Sequence, residues 1–297
     1  MKKESKDIEN PEQEFNRLSQ RFKMLYDRFL AIAMDYKHYI DYSMNDHEIY
    51  KLRDNILYRL YSARFHFQLL LEYHLRVESR LKDLYKRNPA ELFQVGFEAN
   101  GIAEQSTREI YSLFDSMLYH LCSIYDYLFR LLNFCHGQTI VDNPKWNIFR
   151  DDKNLKSFIY CSKEILPKLQ AIDESFVYPL IRHRSHLIHT ENDTGEFKLT
   201  FNIGGDNFNS KFHATKLFIQ NFPEIQKGNE GFDLTIKFVS FWLIDKTIKT
   251  TTEILFELKE DMIRNKKIPH GMMVLYDEQT HRMLPASTPY WGDRNST

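Results

Sequence analysis

The chain has 297 residues, 42% apolar and 27% charged, the composition of a globular protein long enough to bury a sizeable core. Forty basic residues against 41 acidic ones leave a net charge of -1, which excludes a protein held on DNA by charge alone. Only 10 Gly and 9 Pro interrupt the chain. Each costs a helix interior about 1 and about 3 kcal/mol respectively, so their scarcity predicts long helices. Cys122, Cys135 and Cys161 are widely spaced in apolar surroundings and match no zinc spacing, which predicts buried, reduced thiols. The opening MKKESKDIENPEQEF is charged, with no apolar leader core. No run approaches about 18 apolar residues. A cytoplasmic chain that does not enter a membrane is expected.

The first predicted helix carries a stripe at three-four spacing: Phe15, Leu18, Phe22, Leu25, Phe29, Ile32, Tyr36 and Tyr39. Asn45 with Glu48 reads as a capping box that starts a second helix, striped from Ile49 through Leu60, Phe67, His74 and Leu81 to Leu84. Asn88-Pro89 ends it. The two matched stripes predict an antiparallel helical hairpin over 1–95 whose aromatics also pack on other helices. His74, inside the stripe, reads as a satisfied interface histidine.

Gly96 to Gly101 is expected to be a loop before a third helix near 103–135, with Ile110, Phe114, Met117, Leu121, Ile124, Leu128 and Leu131 on its apolar face. Further helices are expected near 153–171, 175–190 and 232–264. A β-hairpin is expected from 196–203 and 212–220, turning at Gly204-Gly205 and Asn207. The prediction is an all-α, up-and-down bundle. It divides into an N-terminal hairpin (1–95), a bundle over 101–265 with a β-hairpin insertion near 196–221, and a tail (266–297) that adds a small hairpin.

The densest group of titratable side chains is Arg182-His183-Arg184-Ser185-His186-Leu187-Ile188-His189. Arg184 and His189 enclose four residues, with a polar residue after the arginine and two aliphatics before the histidine. Arg182 and His189 enclose six. Arg59/His66, Arg130/His136 and Arg264/His270 also satisfy such spacings, but the context of 184–189 sets it apart. On a helical wheel at about 100° per residue, Val177, Leu180, Ile181, Leu187 and Ile188 make one face with Arg184 in its middle. Arg182, His186 and His189 share the other face with Tyr178. The wheel thus favours Arg182, the tighter motif favours Arg184, and both keep His189. An arginine centred on an apolar face needs a partner or a cleft; an ion pair with Asp115 or Asp126 is the structural alternative.

In this segment the sequence resembles the HEPN superfamily, small all-α domains found in prokaryotic toxins, phage-defence proteins and RNA-processing factors. Their motif is an arginine, a polar residue and a histidine four to six places on. The likeness covers mainly 105–190, and Ser185 stands where Asn is commonest. The resemblance implies a metal-independent endoribonuclease that needs no cofactor and acts on RNA. His189 would be the acid/base group, Arg184 or Arg182 the charge stabiliser and Ser185 a positioning group. His183 and His186 would touch substrate. It also implies a homodimer facing two motifs across a groove, acting as a toxin or phage-defence effector with a cognate antitoxin or regulatory partner. The alternative it implies is a non-catalytic module that binds RNA, a nucleotide or a protein.

The chemistry suits these residue types. A histidine titrates near neutrality and can exchange a proton with a ribose hydroxyl, and a guanidinium can hold two phosphate oxygens at once. His183, His186 and His189 recur every third residue, but they fan over about 120° of helix with no carboxylate in register. No metal site is expected.

Overall fold

A computed structural model describes residues 5–8, 10–40, 47–92, 98–135, 145–150, 164–189, 198–204, 207–227, 229, 231–265, 274–277 and 282–285. The fold is all-α with small strands. Its helices are α1 (Pro11–Tyr39), α2 (His47–Arg87), α3 (Glu98–Cys135), α4 (Ile165–Ile172), α5 (Tyr178–His189), α6 (Lys216–Asn221) and α7 (Ile236–Arg264). The strands are β1 (Ser5–Lys6), β2 (Leu199–Gly204), β3 (Asn207–Phe212), β4 (Asp233–Leu234), β5 (Val274–Asp277) and β6 (Arg282–Pro285). No helix among the described residues is long and apolar enough to cross a membrane.

The three-four stripes become the core. On α2 every stripe member named above is buried, His74 included, and so is the whole predicted face of α3. Cys122 and Cys135 are buried thiols outside any disulfide; Cys161 and the Asn45 cap lie outside the described residues. α3 begins at Glu98, so Gly101 is helical rather than part of a loop. Ala99 and Ile102 are buried and continue the apolar face, which outweighs the cost of one glycine.

The chain divides into two compact units, each built from three separate stretches, with α1, α2, α3 and α7 contributing a segment to both. One unit takes 15–59, 123–177 and 245–297. Within it α1 runs parallel to α7: Arg21 pairs with Asp245, and seven residues on Arg28 donates to Thr252 Oγ1 at 2.8 Å. A short 3-10 turn (Trp146–Arg150) packs Trp146 against Tyr125. Asp173 accepts from Trp146 Nε1 at 2.9 Å and from Arg150 Nε at 2.8 Å. Between α4 and α5 the helix does not break. A π-turn over Asp173–Val177 joins them, because Pro179 lacks the N–H that an α-helix would return to Ser175, and a widened turn absorbs the defect.

The other unit takes 1–14, 60–122 and 178–244. β1 lies parallel to β4, Ser5 opposite Asp233. β2 and β3 pair antiparallel from Leu199↔Phe212 to Gly204↔Asn207. The second strand is therefore 207–212, not 212–220. Thr215 caps α6 by accepting from the Phe218 N–H at 3.1 Å, which commits 216–221 to a helix despite their strand-like composition. The hairpin docks on α2 through His74, whose Nε2 donates to the Ser210 carbonyl at 2.9 Å while its ring meets Phe212 edge-on. In the tail, β5 and β6 form the small hairpin that the sequence predicts there.

Candidate functional site

α5 carries the Arg-His motif and presents different residues in three directions. Leu180 and His183 face the core, Arg182 and Ser185 are exposed, and Arg184, His186 and Leu187 are half-buried. α5 is tied to α3 by Cys122 Sγ, which donates to the Leu180 carbonyl at 3.7 Å.

His183 is the clearest departure from the sequence expectation. Expected to touch substrate, it is 1% exposed and wedged edge-on between Phe218 and Phe222. The Asn221 amide donates to its Nδ1 at 3.2 Å. An acceptor nitrogen requires the neutral ring, and burial, seconded by the nearby His186, pushes the pKa down to about 4. His183 is a core residue. Arg184, which the sequence wheel puts within the apolar face, is only half-buried, at the edge of the packed side of α5.

That edge lines a cavity of about 340 Å³ bounded by His66, Asp115, Ser116, Tyr119, His120, Arg184 and Leu187. α2 contributes one residue, α3 four and α5 two. The Arg184 guanidinium lies over the Tyr119 ring, 4.7 Å from its centroid, so one of its faces is covered by π-density. Asp115 borders the same space, whereas Asp126 accepts the Trp146 N–H at 3.0 Å.

Two histidines in this cavity were invisible to the motif. The rings of His66 and His120 lie 5.2 Å apart. His66 Nδ1 sits 2.8 Å from the Ser62 carbonyl, which can only accept, so Nδ1 carries the proton and Nε2 holds the lone pair in the neutral ring. His66 does figure in one of the arginine–histidine spacings of the sequence, with Arg59, but it meets Arg184 only through packing. His189 ends α5; its side chain lies outside the described residues. Among the described residues no three His, Cys, Asp or Glu side chains gather as a metal-holding set.

A second hollow in this unit, about 730 Å³, is lined by Lys198, His213, Lys216, Gln220, Gln226 and Phe232 among others. Lys198 is paired with Asp233 there, and His213 Nε2 meets Thr200 Oγ1 at 2.8 Å. The smaller cavity is the better candidate, because it joins the motif arginine to two histidines. No protein-family model, no curated protein and no solved structure matches this chain.

Proposed function

We propose that this chain is a metal-independent endoribonuclease of HEPN type, with the Arg184 cavity as its phosphodiester site. One observation supports this above the others: the arginine of the Arg-x4-His motif borders a cavity that also holds His66, with its guanidinium face on Tyr119.

The reaction needs a base, an acid and a counter-charge. His66 Nε2 takes the proton of the ribose 2′-hydroxyl, whose oxygen bonds to the adjacent phosphorus. The P–O5′ bond breaks, and His189 returns a proton to the leaving 5′-oxygen. The products are a 2′,3′-cyclic phosphate and a 5′-hydroxyl, with no net change in protons. Arg184 holds the non-bridging oxygens bidentately as charge builds on the phosphorane. Tyr119 fixes the guanidinium plane and His120 packs against the His66 ring. Because the nucleophile belongs to the substrate, no metal or other cofactor is required.

The wider reading follows the resemblance: a cytoplasmic homodimer that brings two motifs together, acting as a toxin or phage-defence effector restrained by a cognate antitoxin. The second reading, a non-catalytic module that binds RNA or a nucleotide, is favoured by Ser185, which is exposed and stands where the family most often has Asn. Incubation of a labelled RNA with purified protein, followed by end-group analysis, separates the two. Cyclic-phosphate ends that vanish in Arg184→Ala support the nuclease; binding without any cleavage overturns it in favour of the module.

A further inference from the structure

Soluble proteins bury their aromatics where they can, yet Tyr61 and Phe65 stand 59% and 45% exposed on α2. They are one helical turn apart, so their rings share a face. The rings lie nearly parallel, 8° between planes and 6.5 Å between centroids. Phe65 is edge-on to His66 at 6.0 Å, His66 neighbours His120, and His120 abuts Tyr119 at 5.4 Å. Tyr119, itself 42% exposed, carries the Arg184 guanidinium. An unbroken series of rings thus leads from open surface to Arg184, the one arginine or lysine among the described residues lining the cavity.

We propose that Tyr61 and Phe65 are a stacking platform for unpaired bases of an RNA strand whose phosphate is held by Arg184; this rests on the RNA reading above and specifies its substrate as single-stranded. A polynucleotide alternates planar rings with anions, and this surface sets planar rings beside a cation. Every base has a π-face, so stacking tolerates any sequence. Bases inside a duplex are already stacked on one another and cannot be offered to side-chain rings. A second protein is a poorer occupant. Two aromatic side chains supply at most about 500 Å², short of the roughly 800 Å² per partner that a stable protein interface buries.

The test is fluorescence anisotropy with a short labelled RNA, 2′-O-methylated to block cleavage, offered as a single strand and as a duplex. Tyr61→Ala/Phe65→Ala should weaken single-strand binding about tenfold or more with the melting temperature retained, since both side chains are exposed. Tyr61→Phe/Phe65→Tyr should bind as wild type does, because it keeps both rings. Duplex should bind more weakly and respond little to either variant. Equal binding by the wild-type and alanine proteins, or of strand and duplex, overturns the platform while leaving the nuclease reading intact if unmodified RNA is still cut. A wild-type protein that neither binds nor cuts RNA overturns both. Conversion of a dimer to a monomer by the alanine pair assigns the face to self-association and overturns the platform.

Discussion

The Arg184 guanidinium sits 4.7 Å from the centroid of the Tyr119 ring, and this contact sets how a motif arginine can be both half-buried and usable. An aromatic face offsets the cost of desolvating the cation without neutralising it, whereas a carboxylate partner would cancel the charge that a phosphate needs. The first prediction follows from that difference.

Arg184→Ala should lower RNA cleavage by about 10² to 10³, as loss of a charge-stabilising donor does. Its stability cost should stay within about 2 kcal/mol, the scale of a cation–π contact, rather than the roughly 3–5 kcal/mol of a broken buried ion pair. Arg182→Ala, on the exposed side of α5, should lose far less activity. Single-turnover rates and denaturant titrations check both. A large loss in Arg182→Ala with Arg184→Ala active would move the motif to the longer register.

His66→Ala and His189→Ala should each reduce cleavage by about 10² to 10⁴. The pH–rate profile separates their roles. A base must be unprotonated, so removing His66 should flatten the acid limb; an acid must be protonated, so removing His189 should flatten the alkaline limb. Chelation with EDTA should leave the wild-type rate unchanged. Full activity in either alanine variant, or loss on chelation restored by zinc, contradicts the mechanism.

Stability should fall as the solution is acidified below pH 6.5. His74 and His183 both have pKa values lowered to about 4 by burial, against about 6.5 in an unfolded chain. Lys237 adds to the depression at His74, while Glu78 and Asp7 oppose it. Between those values the unfolded state binds protons that the folded state refuses. The stabilisation is therefore complete above pH 6.5 and drains away toward pH 4, by on the order of 3 kcal/mol for each histidine. Urea midpoints across this range check the sign, and a flat profile would place both rings in solvent.

Light scattering after size exclusion should give twice the 35.7 kDa of one chain, as two facing motifs require. A concentration-independent mass of one chain would remove the composite groove.

What the sequence determined by itself is what depends on short spacings. The stripes of α2 and α3 were legible to the residue, because burial on a helix repeats every three or four positions and a stretch of sequence contains the whole signal. The small hairpin of the tail was legible for similar reasons. Other features depended on context. Thr215 turns 216–221 into a helix against their composition, and the π-turn at Asp173–Val177 carries Pro179 through a run where a break was expected.

The site was decided by tertiary structure. His183 and Arg184 are neighbours in the chain, and nothing local says that the histidine is the one to be buried. Asn221 and the rings of Phe218 and Phe222 decide it by satisfying a neutral imidazole in the core. His66, Tyr119 and Arg184 come from three helices, separated by more residues than any periodic window spans. Only packing within one unit brings their side chains to a common cavity, and only there does the arginine acquire an aromatic face. Helical periodicity tells which side of a helix is turned inward; it carries no information about which distant side chain waits there.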